Sequence, residues 1–166
     1  MLARLLRDLQ QPEYLHTLLN PLPIYGLGIA LLGLVIATLI RSRAAQVTAL
    51  VLVLICAASI WPTMHYGERA ADRMAVLADE DGRAWLAAHG ERAEKLAYVY
   101  YALAIVTAAA LLVPRKWPKF ALPLTILTIA LALGSLGAGA YIGSAGGKSG
   151  IASSAPFRRR KRIRAD

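Results

Sequence analysis

Four stretches of this chain, residues 23–40, 45–61, 96–113 and 120–142, contain no Asp, Glu, Lys, Arg or His. Each approaches or exceeds the ~20 apolar residues with which an α-helix crosses the ~30 Å hydrocarbon core of a bilayer. In lipid no water satisfies peptide groups, so only helices and closed barrels are workable, and these runs lack the alternation of barrel strands. The sequence therefore predicts an all-α fold, a four-transmembrane-helix bundle. Hydrophobic residues make up 57% of the 166 residues, more than an ordinary soluble domain carries, and one membrane domain spanning 23–146 accounts for them.

Short basic links, Arg41-Ser42-Arg43 and Pro114 to Lys119, join the first two spans and the last two, so both links lie on one side of the membrane, here called side B. The N-terminus, the connection 62–95 and the C-terminus then share side A. That connection does not have a loop's composition. Residues 68–78 and 84–95 read as helices around the turn-like Glu80-Asp81-Gly82, giving a helical hairpin extension between helices two and three. Asp79, Glu80 or Asp81 suits the start of the returning helix, and Pro62 is a site for a kink.

Residues 1–22 form an N-terminal segment in which Leu2, Leu5, Leu6 and Leu9 share one helical face, as in a helix lying in the membrane interface; a frayed end reads equally well. The first apolar run is full length and no small-residue cleavage site follows it, so the segment is read as retained rather than as a secretory signal. Residues 147–166 form a basic tail, expected to be disordered.

The net charge of +9 resides largely in Arg158, Arg159, Arg160, Lys161 and Arg162 of that tail and in the side-B links. Basic clusters beside membrane helices set topology or meet anionic lipid, so nucleic acid is excluded as the expected partner. Side B has five Lys or Arg and no acid in its links, whereas side A has more bases in total, so the positive-inside rule leaves orientation open. Tyr25, Trp61, Tyr100, Tyr101 and Tyr141 fall near side A and Trp117 near side B, the distribution of an interfacial belt.

All three histidines, His16, His65 and His89, fall on side A just outside the apolar spans. Imidazole is a common ligand of haem iron, zinc and copper, so this convergence makes a metal or haem site conceivable, beside the plainer reading of exposed polar residues on a solvated hairpin. If the hairpin turns at 80 and 81, His65 and His89 differ by roughly 10 Å in height at 1.5 Å rise per residue. His65 with His16 is then the preferred pair, and His89 lies level with Asp72 as a hydrogen-bond partner. Glu68, Asp72, Glu91 and Glu94 alternate with Arg69, Arg73, Arg92 and Lys95, which favours ion pairs across the hairpin over a carboxylate metal site.

Other patterns are weaker. Cys56 is the sole cysteine, within the second span, and reads as a small buried hydrophobe. Gly143 to Ser149 superficially resembles a phosphate-binding loop, but its first glycine is one residue too close to Gly147-Lys148-Ser149 and a membrane helix stands where a strand is required. Gly134, Gly137, Gly139 and Gly143 give helix four the small residues that allow close helix contact, with the bundle, a membrane protein partner or a second copy of the chain. The spans hold no ionisable ligand for a midplane transport site, and no hydrolase or metalloprotease constellation appears, so the chain is not expected to be an enzyme.

His16-Thr17-Leu18-Leu19-Asn20-Pro21-Leu22-Pro23-Ile24, followed at once by a helix, resembles the His-Pro-x-x-x-His-Phe-Pro-Ile opening of a widespread bacterial family of four-helix membrane proteins of unknown function. Gly67-Glu68, His89 and Gly146-Gly147 extend the resemblance loosely along almost the whole chain. His16, Pro23 and Ile24 match position by position, while Pro21 stands where the family has its second histidine. The resemblance implies an integral protein of the bacterial inner membrane, with haem b as a cofactor suggested by the family's histidines. The expected function is a non-enzymatic component holding haem or metal through His16 and His65, with His89 a third candidate, in electron transfer. The alternative is an accessory subunit that packs through helix four while its histidines face solvent. The lipid bilayer is the partner common to both.

Overall fold

The computed structural model describes residues 9–152, with side chains for 9–144. Among them there are six α-helices: α1 (Pro12–Leu19), α2 (Leu27–Leu39), α3 (Arg43–Ala58), α4 (Ile60–Leu77), α5 (Glu80–Leu112) and α6 (Ala121–Ala152), and no strand. A single π-helical turn, Leu22–Gly26, connects α1 to α2. The expected all-α fold is therefore the fold of the chain. Four continuous helical stretches, Pro12–Leu39, Arg43–Leu77, Glu80–Arg115 and Pro118–Ser144, are long and apolar enough to cross a membrane.

The apolar residues divide as a bilayer requires. Leu27, Leu34, Leu50, Val53 and Leu103 are fully buried between helices, while Ile29, Leu39, Ile105 and Leu133 remain largely exposed on the outer face, where lipid tails are the fitting neighbours. Inside the bundle Thr107, Thr125, Thr128 and Ser135 are buried, and each hydroxyl donates to the carbonyl four residues earlier in its own helix. No polar side chain in the core then needs water.

The packing is two hairpins, α2 with α3 and α5 with α6, joined by α3 against α5. Tyr100 seals the second hairpin. The sequence assigns it to the interfacial belt, but it is 1% exposed, and its hydroxyl donates to the Ser135 carbonyl at 2.7 Å. Gly139 makes room for it, since a Cβ there would sit 2.6 Å from the Tyr100 oxygen and 3.3 Å from Ile24 Cγ1. Tyr25, Trp61, Trp117 and Tyr141 do stand exposed at the two ends.

The kink expected at Pro62 falls three residues earlier. Proline has no N–H for the Ala58 carbonyl, and the helix breaks at Ser59, whose hydroxyl donates to the Cys56 carbonyl at 2.7 Å. The hairpin turn lies at Ala78 and Asp79. Asp79 accepts from the Gly82 amide at 2.8 Å and so starts α5. The two arms of this hairpin pack only lightly on one another. Their ion pairs run elsewhere than expected: Arg73 meets Glu13 of α1, and Lys95 meets Glu91 within α5. Leu2, Leu5 and Leu6, on which the expectation of an interfacial helix rests, and most of the basic tail lie outside the described residues.

Candidate functional site: a two-histidine cavity on side A

Because the hairpin arms diverge, a third element fits against them. That element is α1, laid along α4 by the turn at Leu22–Gly26. A cavity of about 480 Å³ remains between α1, α4 and α5.

His16 enters it from α1. Its Nδ1 lies 2.8 Å from the Thr63 carbonyl oxygen of α4. A carbonyl only accepts, so Nδ1 carries the proton and donates, and in the neutral ring Nε2 keeps its lone pair. The imidazole rests directly on the α4 backbone. A Cβ at Gly67 would come within 2.9 Å of both His16 Cε1 and Nδ1, so glycine is what permits this approach. One turn before His16, Glu13 accepts from Arg73 at 3.3 Å and ties α1 to α4 a second time.

His89 enters from α5. Its Nδ1 lies 3.1 Å from the Ile142 carbonyl of α6, which fixes the same tautomer by the same reasoning. Burial pushes its pKa below the ordinary 6.5; the Ile142 hydrogen bond opposes this, and positive charge on His16 and Arg92 lowers it further. Neutral imidazole is thereby favoured at neutral pH. Arg92, nearly one turn on, donates to the Tyr141 carbonyl at 3.1 Å and to Ser144 Oγ at 3.0 Å, with its guanidinium 4.2 Å from the Tyr141 ring centre. The side-A end of α6 is thus held beside the cavity.

The structure brings His16 and His89 to one cavity and leaves His65 out of it. His65 stacks on Trp61 at 5.7 Å between ring centres and meets Tyr66 edge-on at 5.3 Å. It faces away because helical geometry turns residue 65 about 200° from residue 63, whose carbonyl holds His16. His89 bonds Ile142 rather than Asp72 because α5 packs chiefly on α6.

Glu13, Glu68 and Glu94 supply carboxylates to the lining, whereas no Lys or Arg contributes. Glu68 and Glu94 are exposed and have no ion pair among the described residues. Ile60, Met64, Met74 and Leu86 form apolar wall, and Asn20 adds an amide. Among the described residues no three His, Cys, Asp or Glu side chains assemble into a metal-ligand group.

Glu13 and Thr63 escape sequence reasoning. Thr63 acts through its carbonyl, which no sequence pattern marks, and Glu13 acts through a partner 60 residues away. Gly67 carries a readable signal, an isolated glycine within a helical segment.

The fold and the cavity define an integral membrane protein, four of whose helical stretches are long and apolar enough to cross a bilayer, with a two-histidine pocket built on the side-A extension. No family model, curated protein or solved structure matches the chain.

Proposed function

We propose that the protein is a non-enzymatic binding protein of the membrane whose ligand sits in the cavity between α1, α4 and α5, fixed by His16 and His89. One observation carries this reading. Imidazoles from two different helices line a single cavity, each with Nδ1 committed to a backbone carbonyl and with Nε2 unpaired among the described residues. Neither Nε2 is a buried orphan, so both stand open to solvent on the cavity's residues, where a ligand can displace water and meet them. The volume suits a small molecule, since ligand pockets run from about 300 to 1,000 Å³.

Haem b, which the resemblance implies, meets these residues in one respect only. Two imidazoles with free Nε2 are suitable axial donors for iron. Haem also brings two carboxylates, and the lining offers them Glu13, Glu68 and Glu94 with no Lys or Arg. The lining therefore does not fit haem.

The test is native mass spectrometry of protein purified from its own membranes, with oxidised and dithionite-reduced spectra of the same sample. A bound species retained by wild type and His65→Ala but lost from His16→Ala and His89→Ala is the expected result. A stoichiometric haem spectrum with that histidine dependence replaces this reading with a redox one, and a species indifferent to His16 and His89 overturns it.

A second reading, an accessory subunit of a larger membrane complex, is favoured by α6. A Cβ at Gly134 or Gly137, which lie about 60° apart around the helix, would meet nothing within 4 Å, so this face is not consumed by the bundle. Co-purification of a membrane protein that is lost in Gly137→Leu tests it.

A further inference from the structure

The cavity's polar lining is almost entirely a set of acceptors. His16 and His89 spend their Nδ1–H groups on the Thr63 and Ile142 carbonyls, so in the neutral rings each has only the Nε2 lone pair left to offer. Carboxylates of Glu13, Glu68 and Glu94 add acceptor oxygens and negative charge. Thr17 has already donated its hydroxyl to the Glu13 carbonyl at 2.9 Å and keeps its oxygen lone pairs. The amide of Asn20 is the side-chain donor that remains on this lining.

The cations nearby are directed elsewhere. Arg73 is spent on Glu13 with its side chain 69% exposed, and neither it nor Arg92, which is bound to α6, lines the cavity. The negative charge is local to the lining: Glu68 and Glu94 have no ion pair among the described residues, and no Lys or Arg lines the cavity. Opposite the acceptors, Ile60, Met64, Met74 and Leu86 offer a surface that gains from covering an apolar body.

Resting on the binding reading above, we propose that the ligand is an amphipathic organic cation, a protonated amine whose N–H groups meet Nε2 of His16 and His89 and the carboxylates of Glu68 and Glu94 while its hydrocarbon part lies on the α4 and α5 wall. A protonated amine supplies donors and positive charge together, which a set of acceptors of this kind requires. An anion of the same size would face the Glu68 and Glu94 carboxylates, neither of which has an ion pair among the described residues. An alcohol of the same size would offer one donor and no charge.

The experiment titrates the full-length protein in a non-ionic detergent, by calorimetry at pH 7.5, with hexylammonium, hexanol and hexanoate as probes of matched length. The expected order is hexylammonium tighter than hexanol by about tenfold and hexanoate not bound, the charge being read at partly screened separations. Glu68→Gln and Glu94→Gln, both at exposed helix positions where folding does not depend on the charge, should each weaken hexylammonium by about threefold and leave hexanol unchanged. Equal affinity for hexylammonium and hexanol overturns the cation assignment and leaves the cavity standing as a binding site. Hexylammonium binding that is indifferent to Glu68→Gln, Glu94→Gln and His89→Ala overturns the assignment too, as does failure of all three probes. The binding reading is judged apart from these outcomes, by whether the species carried from native membranes depends on His16 and His89.

Discussion

Gly67→Ala isolates the contact on which the cavity depends. The added methyl would sit 2.9 Å from two atoms of the His16 ring, about 0.5 Å inside ordinary van der Waals contact, and the ring is tethered by its 2.8 Å bond to Thr63. Relief requires the ring to lift off α4, which stretches or breaks that bond at a cost of about 1 kcal/mol. Against this, alanine is about 1 kcal/mol better than glycine within a helix. The net change in stability should therefore be near zero, and the informative quantity is the coupling. In a His16→Ala background the obstruction is gone, and Gly67→Ala should stabilise by about 1 kcal/mol. Gly90→Ala, at a helix position where a Cβ meets nothing within 4 Å, should give that gain in either background. The assay is thermal unfolding of all four members of the cycle in one detergent, with hydrogen exchange across α1 to register its release. Additivity of His16→Ala and Gly67→Ala, or unchanged α1 protection in Gly67→Ala, would refute the placement of His16 on α4.

Gly139→Ala should destabilise by about 1–3 kcal/mol, because the new methyl meets the Tyr100 hydroxyl and Ile24 within a packed core, whereas Gly134→Ala, open on the outer face, should not; thermal unfolding of the pair distinguishes them. The pKa of His89 lies below its unfolded value of 6.5, so the unfolded chain takes up the proton first and stability rises with pH. The contribution from neutral His89 is present above about pH 6.5 and is lost as pH falls through the lower folded value. Melting temperature should fall between pH 7.5 and 5, and less steeply in His89→Asn; equal slopes would contradict the role given to its burial. Asp79→Ala should cost about 1 kcal/mol through loss of the bond to the Gly82 amide, read as reduced exchange protection in the first turn of α5.

What the sequence reveals about this protein follows from the strength of each signal. Four uncharged apolar runs leave helices as the only workable spans, so the fold class is legible without coordinates. The acidic turn before Gly82 marks where the hairpin returns. Distances between elements were much less legible. Height above the membrane pairs His16 with His65, but it counts residues along a helix and ignores their direction around it. His65 points to Trp61, and the carbonyl that receives His16 belongs to Thr63 on another face. His89 joins the cavity because α5 packs on α6 and leans away from α4, a consequence of Tyr100, Gly139 and Ser135 deep in the bundle. The arms adjoin in sequence, which suggests ion pairs across the hairpin, but they diverge around the cavity and Arg73 turns to Glu13 of α1.

The central claim is that His16 and His89 present unprotonated Nε2 atoms to one ligand. Nitrogen NMR of ¹⁵N-histidine-labelled protein at pH 7.5, assigned with single histidine variants, reads the tautomer of each ring and its response to bound ligand. Both His16 and His89 should carry the proton on Nδ1, and hexylammonium should shift both Nε2 resonances while leaving His65 unmoved. Protonation at Nε2 in either ring, or a response confined to His65, would contradict the claim.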